Sequence, residues 1–328
     1  MKNLPRFMTV LFCLQIALVA VTPGMAERKQ VQKQFHVEKD GLLTLYSDKG
    51  SVSVRSQKSL NVEVVATLTA EGFRGNDAIE NFIVTLEERA GDVQVRGEWS
   101  DRSFRRHNRL RVHYEIVVPM NYNLNIETSG GSIEVGDLNG RVDLHTSGGP
   151  ISVGEISGTV DLKTSGGPVS LVRCGHDATV ETSGGAIRIG EVNGSIKART
   201  SGGSITLRGA EGDVDAITSG GGLKLKRIAG NLRGRTSGGS ITAELLNQID
   251  SDLELQTSGG SIDLIVPDNF KGDLDARTSG GRIRTDLPIL VRGTTGLVSK
   301  RSLRGQMNGG GQRIRLRTSG GNIEIRER

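Results

Sequence analysis

The chain has 328 residues, a formal net charge of +5, 46 glycines and only 3% aromatic residues. Because about 7% glycine is usual, glycine is about twice as frequent here as in an ordinary chain. The many aliphatic residues and the mixed signs of charge exclude a disordered chain, and the small excess of positive charge excludes a chain built to bind nucleic acid. This composition predicts many tight turns around a thin aliphatic core.

The first 26 residues have the pattern of a secretory leader. Two basic residues precede an apolar run, Phe7 to Val21, that is short for a membrane span, and the small-residue sequence GMA precedes a polar segment. We therefore predict a signal peptide over residues 1–26, cleaved after Ala26. The protein would then be periplasmic, extracellular or on the cell surface. Cys174 would be the single cysteine of the exported chain, which excludes an intrachain disulfide.

Residues 27–127 are predicted to form β-rich N-terminal coils or a cap. Apolar and polar residues alternate there in short runs, as in Lys49 to Val64, without the faithful repeat found further along the chain. A basic cluster near the end of this segment is a candidate contact for an anionic polymer. The alternative is a solvated loop before a strand. The members of the cluster are Arg102, Arg105, Arg106, Arg109 and Arg111.

Residues 128–328 are organised by the tetrapeptide TSGG. Successive copies are separated by 18 residues six times, by 21 residues twice and by 40 residues once. Such a fixed period is the signature of a repeat architecture. The copies begin at Thr128, Thr146, Thr164, Thr182, Thr200, Thr218, Thr236, Thr257, Thr278 and Thr318.

Each repeat contains two short strands. With the threonine counted as position one, position six is aliphatic in every copy. Apolar residues such as Val142 and Leu144 precede the next threonine at two-residue spacing. This alternation turns the threonine inward and the following serine outward. The two glycines are predicted to supply a left-handed turn. The extra residues of the 21-residue units are predicted to lie in the second corner, because both strands stay in frame.

One such unit cannot bury its apolar side alone, so the units must stack. We predict an all-β fold, a β-solenoid of the single-stranded β-helix or β-roll type with 18-residue, two-strand coils. The TSGG solenoid would run over residues 128–328 with an irregular C-terminal coil, and residues 295–328 would form an irregular penultimate coil and the final strand of the rod. Cys174 falls in an apolar column with Ile156 and Val192, which predicts a core cysteine.

The repeats carry little recognisable chemistry. A calcium-binding roll needs an acidic residue in a fixed slot, but the tenth position includes Arg173 and Gly209. The outward Asp143, Asp161 and Asp215 alternate with cations and form no evident acid–base set. We therefore predict no catalytic residue, no metal site and no cofactor. A solvent-facing basic column is a plausible track for an anionic polysaccharide, and it comprises Lys163, Arg199, Arg235, Arg277 and Arg317, interrupted by Glu181, Ile217 and Gln256.

The TSGGSI-V units, a preceding VP-N-NL-I-TSGG stretch from Val118 to Gly131 and a closing NGGG--I-LRTSGGNI-I resemble a bacterial putative-adhesin family with TSGG-type β-strand repeats, formally a domain of unknown function. The resemblance covers nearly the whole exported chain. It implies a right-handed β-solenoid and a cell-envelope setting.

The expected function is that of a non-enzymatic, exported cell-envelope protein that acts as an adhesin or as a scaffolding and binding surface. Two alternatives are a carbohydrate-active β-helix enzyme and a self-assembling envelope element. The expected partners are an anionic envelope polysaccharide or another envelope protein, without nucleic acid. A peripheral membrane contact and the oligomeric state are left open by the sequence.

Overall fold

The computed structural model describes residues 15–18, 27–71, 75–101, 109–291 and 300–328, which are almost entirely β-structure. The elements before the repeats are β1 (Gln15–Leu18), β2 (Glu27–His36), β3 (Leu42–Ser47), β4 (Ser51–Gln57), β5 (Asn61–Ala70), α1 (Gly75–Glu80), β6 (Phe82–Arg89), β7 (Asp92–Trp99), β8 (Arg111–Pro119) and β9 (Asn123–Thr128). The strands of the regular repeats are β10 (Ile133–Val135), β11 (Val142–Thr146), β12 (Ile151–Ile156), β13 (Val160–Thr164), β14 (Val169–Cys174), β15 (Ala178–Thr182), β16 (Ile187–Val192), β17 (Ile196–Thr200), β18 (Ile205–Ala210), β19 (Val214–Ile217), β20 (Leu223–Ile228), β21 (Leu232–Arg235) and β22 (Ile241–Leu245). The remaining strands are β23 (Leu253–Gln256), β24 (Ile262–Val266), β25 (Gly272–Thr278), β26 (Ile283–Thr285), β27 (Ile289–Leu290), β28 (Ser302–Met307), β29 (Arg313–Thr318) and β30 (Ile323–Glu327).

The described strands form two sheets of 15 strands each, and the chain alternates between them through the repeats. Sheet A contains the strand that follows each TSGG turn, and sheet B contains the strand that precedes it. Neighbouring repeat strands are parallel, and each residue pairs with the equivalent residue of the next repeat. Ile133 thus pairs with Ile151 in sheet A, and Val142 pairs with Val160 in sheet B. The predicted β-solenoid with 18-residue, two-strand coils is confirmed.

The core lies between the two sheets and consists of stacked aliphatic columns. Alternate residues of each repeat strand are buried, as in Ile151, Val153, Leu162 and Thr164. The largest aromatic side chains that are fully buried in the described chain are Tyr114, Tyr122, Phe82 and Phe270, none of which belongs to a regular 18-residue coil. Rings are therefore accommodated only where the coil departs from its regular form.

The inward threonines hold successive coils together. The Thr182 hydroxyl donates to the Gly167 carbonyl of the preceding coil at 2.9 Å and accepts a bond from the N–H of Gly185 in its own coil at 3.3 Å. The same pair of bonds recurs at the next threonine, Thr200. Because every threonine of the ten TSGG copies is buried, this ladder satisfies backbone groups that the turns would otherwise leave unpaired.

The glycines of the turns are required mainly by the stacking. Among the described TSGG turns, Gly131 alone has a left-handed φ, of 119°. Elsewhere the second glycine lies against its counterpart in the preceding coil: a Cβ on Gly185 would stand 2.0 Å from the Gly167 carbonyl oxygen. The predicted left-handed turn is therefore wrong for most copies, and glycine is needed because the backbones approach too closely for a side chain.

The extra residues of the 21-residue units lie in the second corner, as predicted. One insertion separates β22 from β23, the other separates β24 from β25, and Ile249 and Phe270 fill the core beneath them. The side-chain amide of Gln248 joins the two corners, since it donates to the Lys271 carbonyl at 2.9 Å and accepts from the Lys271 N–H at 2.8 Å.

The C-terminal coils are stacked out of chain order. The last coil, β29 and β30, lies between the coil of β23 and β24 and the coil of β25 and β26. Ile314 thus pairs with Leu253 on one side and with Leu274 on the other. The chain doubles back over β25 through Asn308, Gly309 and Gly310, whose φ values of 46°, 93° and 83° are left-handed. The expectation that the chain ends at the end of the rod is wrong, because the last coil is an internal layer.

The N-terminal end has the same arrangement. The coil of β3 and β4 lies between that of β7 and β8 and that of β9 and β10, so Ser47 pairs with Gly97 on one side and Thr128 on the other. Antiparallel strands β5, β2 and β1 extend sheet A beyond β8, and β6 extends sheet B beyond β7. β1 falls within the segment predicted as a signal peptide, whose other residues lie outside the described ones.

The exposed sheet edges carry features that oppose pairing with another sheet. Near the N-terminal edge, Lys33 lies 4.7 Å from the ring centroid of Phe35 and donates to the Leu86 carbonyl at 3.4 Å. At the other end, sheet A finishes with the three residues of β26 and sheet B with the two residues of β27. Short edge strands and charges placed at the edge are the usual means of preventing edge-to-edge association.

Candidate binding surface

From β9 to β28, the strands of sheet B contribute outward side chains that stacking arranges in two columns. Each column is named here by one member. From the N-terminal to the C-terminal end, the Lys197 column contains Asn125, Asp143, Asp161, Thr179, Lys197, Asp215, Arg233, Glu254, Arg315, Asp275 and Arg304. The Arg199 column contains Glu127, His145, Lys163, Glu181, Arg199, Ile217, Arg235, Gln256, Arg317, Arg277 and Ser302.

The N-terminal part of this face is predominantly acidic. From β9 to β15 the two columns contain four carboxylates and one lysine. Lys163 Nζ lies 3.0 Å from Asp161 Oδ2, and this hydrogen bond raises the pKa of the lysine above its ordinary value. Glu181 pairs with Lys197 of the next coil at 3.3 Å, which joins the acidic part to the basic part.

The C-terminal part, from β17 to β28, is basic and has a regular order. Three rows contain two cations each, and the row that follows each of them contains one carboxylate. The doubly basic rows are Lys197 with Arg199 on β17, Arg233 with Arg235 on β21, and Arg315 with Arg317 on β29. The intervening rows contain Asp215 with Ile217 on β19, Glu254 with Gln256 on β23, and Asp275 with Arg277 on β25.

Two carboxylates of the basic part are each shared between several cations. Asp275 contacts three arginines, at 3.1 Å (Arg277), 3.3 Å (Arg304) and 3.7 Å (Arg317). Glu254 contacts two more, the nearer being Arg235 at 2.8 Å. The two columns therefore hold more positive than negative charge over this stretch, even though its carboxylates are paired.

Two grooves border the face over its middle coils. One, of about 460 Å³, follows the TSGG corner and is lined by the exposed Ser165, Ser183, Ser201 and Ser219. The other, of about 510 Å³, follows the second corner and is lined by both polar and apolar residues, among them Asp177 and Leu232. The Asp177 carboxylate accepts the Ser195 N–H at 2.8 Å, so this corner residue has a structural role. The serines present hydroxyl groups once per coil.

The outer face of sheet A has a different electrostatic pattern. Glu191 receives bonds from Arg173 at 2.8 Å and from Arg227 at 2.7 Å, which hold the pKa of the glutamate below its ordinary value. Arg227 reaches across the intervening coil because Gly209 has no side chain there. In these coils the tenth position of the repeat, where a calcium-binding roll would need acidic residues, therefore forms ion pairs. Within the described ranges, no group of three His, Cys, Asp or Glu side chains could hold a metal ion.

The residues predicted from the sequence are distributed unevenly. Arg102, Arg105 and Arg106 lie outside the described residues. Arg109 and Arg111 are exposed, and Arg111 lies 3.8 Å from Glu71. The predicted basic column, which is the Arg199 column, does face outward. Carboxylates of the neighbouring Lys197 column lie beside its members. Sequence reasoning recognised Lys197 and Arg233 as outward cations that alternate with the carboxylates of that neighbouring column. It missed Arg315 and Arg304, although Arg315 lies two residues before the predicted Arg317.

Cys174 lies in the core as predicted. It is fully buried between Ile156 and Val192 of the adjacent coils. Its thiol contacts the Gly158 and His176 carbonyl oxygens, each at 3.3 Å, and burial raises its pKa. A buried thiol whose pKa is raised is poorly suited to nucleophilic chemistry.

In the part of the chain that the structure describes, no helix is long and apolar enough to cross a membrane. The fold and its ordered outer face define a β-solenoid of stacked two-strand repeats. Residues 42–326 match the profile of the Toastrack DUF4097 family, and the chain belongs to that family.

Three solved structures illustrate the similarity. A "putative adhesin" from Bacteroides fragilis NCTC 9343 is 11% identical, with a TM-score of 0.37 over 92% of this chain and 97% of the other. A "putative cell adhesion protein" from Clostridium sporogenes ATCC 15579 is 9% identical, with a TM-score of 0.20 over 92% and 100%. A "putative lipid binding protein" from Parabacteroides distasonis ATCC 8503 is 11% identical, with a TM-score of 0.28 over 91% and 96%. A search of curated protein sequences finds no significant match.

Proposed function

We propose that the protein is a non-enzymatic binding protein of the bacterial cell envelope, an adhesin or scaffold, exported through the predicted signal peptide. The outer face of sheet B is its binding surface. The observation that carries this proposal is the segregation of charge on that face into an acidic and a basic part. Ion pairs that serve only stability do not require such segregation. On a binding surface, in contrast, segregated charge fixes the orientation of the bound partner.

A binding role is favoured over a catalytic one by the state of the outward carboxylates. Asp161 is bonded to Lys163, and Asp215 lies 3.0 Å from Arg199. These carboxylates lie on β13 and β19, which are separated by two strands of sheet B, so they form no paired acid–base set. The self-assembling alternative is disfavoured at the C-terminal end of the rod by the short edge strands β26 and β27.

The arginine cluster at residues 102–111 is proposed as a second contact, for an anionic envelope polymer. Arg109 and Arg111 support it, since both are exposed, and among the described residues Arg111 has a long ion pair with Glu71, at 3.8 Å. The proposed partners are an envelope polysaccharide or another envelope protein, and a peripheral contact with anionic lipid would use the same chemistry.

The test is co-sedimentation of the purified protein with isolated cell envelopes. We expect saturable binding that weakens as salt is raised, because the contacts are between exposed charges. Arg105→Gln/Arg106→Gln should weaken binding partially, because the sheet B surface remains. If the protein fails to bind envelopes at any ionic strength, the proposed function is wrong.

A further inference from the structure

The doubly basic rows of sheet B are evenly spaced in the folded stack, and this even spacing cannot be read from the order of the repeats in the chain. These rows lie on β17, β21 and β29, and one carboxylate-containing strand separates each row from the next. Strands in a sheet are about 4.8 Å apart, so the doubly basic rows recur about every 10 Å. The third row exists only because the last coil is inserted between β23 and β25. In chain order, the Glu254 row would instead adjoin the Asp275 row.

The cations of these rows are accessible and incompletely satisfied. The side chains of Lys197, Arg199, Arg233, Arg235 and Arg317 are between 37% and 49% exposed. In the described structure, Nε of Arg235, Arg315 and Arg317 is itself buried and has no hydrogen-bond partner, as is also true of Oδ1 of Asp161 and Asp215. A ligand on this face would therefore contact the exposed ends of the basic side chains and not Nε.

From the spacing and the exposure of these cations we infer that the basic part of sheet B binds a linear polyanion lying along the rod. Its anionic groups would recur about every 10 Å, that is, on every second unit, where one unit is the length of polymer that spans one strand spacing. This inference rests on the proposed function and specifies the partner of the same surface. Guanidinium groups suit carboxylate, sulfate or phosphate groups because their fork of donors matches two oxygens. The intervening carboxylates repel further anions, which selects against a polymer charged at every unit. An acidic glycan with one charge per two-sugar repeat has the required pattern.

The first experiment measures the affinity of the full chain for three probes: hyaluronan, with one carboxylate per two sugars; polygalacturonate, with one per sugar; and neutral dextran. We expect hyaluronan to bind best, with an affinity that falls steeply with salt, and dextran not to bind. Arg233→Gln/Arg235→Gln should weaken hyaluronan binding on the order of tenfold. The control Arg188→Gln/Arg208→Gln makes the same change of net charge at exposed sites on sheet A and should change the affinity less than about twofold.

The second experiment changes the spacing. Deleting residues 200–217 removes one whole coil, including the Asp215 row, and brings the β17 and β21 rows side by side. We expect the preference to shift from hyaluronan towards polygalacturonate, while a thermal melt confirms folding. An unchanged preference in the folded variant, or an equal loss of affinity in the sheet A control, would overturn the inference.

Two further outcomes separate this inference from its alternatives. If envelopes bind the protein but the substitutions at Arg233 and Arg235 have no effect on binding, the inference is wrong and the proposed function stands. If these substitutions instead dissociate a dimer in sedimentation, the acidic and basic parts pair between two copies of the chain, and the polyanion is excluded as the partner of this face.

Discussion

The middle of the rod and its two ends are built from the same kind of coil but are assembled differently. From β11 to β22, each coil pairs with the coil before it and the coil after it in the chain. At each end, one coil is placed between two others to which it is not sequentially adjacent. The repeat pattern therefore dictates that coils stack, whereas the order of stacking at the ends depends on the segments that connect them.

This difference has a consequence for stability. A linear stack loses its terminal coil easily, because that coil has only one neighbour. Here the coil of β29 and β30, the last in the chain, has neighbours on both sides, and its residues Ile314, Leu316, Ile323 and Ile325 are fully buried. The C-terminal end of the chain should therefore resist fraying more than it would in a simple repeat array.

The largest expected effect distinguishes the last coil of the chain from a coil in the middle of the rod. Deleting residues 313–328 removes the four aliphatic side chains just named, each worth about 1.5–3 kcal/mol, and leaves β25 and β26 without their inner neighbours. We expect the C-terminal third to unfold. Deleting residues 182–199, one complete middle coil, should leave a folded rod with a small change in Tm. Thermal melts and hydrogen exchange measure both, and equal effects of the two deletions would contradict the comparison.

The next effect concerns the two sides of one middle strand. Ile205 is buried in the core, and Ile205→Asp places an unpaired charge there, which should cost several kcal/mol, about 3 or more. Thr206 faces outward between Arg188 and Lys224 of the adjacent coils. Thr206→Asp should therefore be neutral or stabilising by a few tenths of a kcal/mol, roughly 0.2–0.5. Chemical denaturation of the two variants checks this, and a comparable loss in both would refute the assigned inward and outward positions.

Much of the middle could be predicted from the sequence, because an aliphatic column such as that of Ile205 is a local pattern repeated at a fixed period. The burial of Cys174 and of the threonine ladder followed from the same columns. The position of β29 could not be predicted in this way, because Ile314 and Leu316 have the same pattern as any other coil and would fit at many places in the stack. For the same reason the third basic row of the binding surface was not foreseen.

A smaller effect distinguishes two reasons why a position requires glycine, namely a close approach of two backbones and a left-handed φ. In the middle of the rod, Gly185→Ala would place a Cβ 2.0 Å from the backbone of the preceding coil, so we expect a loss of about 2–3 kcal/mol. In the C-terminal connection, Gly309 has a left-handed φ of 93° and open space around it, so Gly309→Ala should cost only about 1 kcal/mol. Gly309→Asn should be tolerated better still, because asparagine adopts left-handed conformations more readily. Urea denaturation ranks the three variants, and a larger loss at Gly309 than at Gly185 would reverse the argument.

The smallest effect concerns an ion pair that spans several middle coils. Arg173 and Arg227 lower the pKa of Glu191 in the folded state from its ordinary value of 4.5. A carboxyl group with a lowered pKa stabilises the fold above its unfolded pKa, and this contribution disappears as the pH falls through the folded value. Glu191→Gln should therefore lower Tm slightly at pH 7 and by less at pH 2, because the contribution of the carboxylate declines as the pH falls below the unfolded value. Glu155→Gln, in the same column, is the control: it should leave Tm unchanged at both pH values, since Glu155 has no ion pair within 4.0 Å among the described residues. Equal shifts for the two variants at pH 7 would show that the ion pair across these coils contributes nothing.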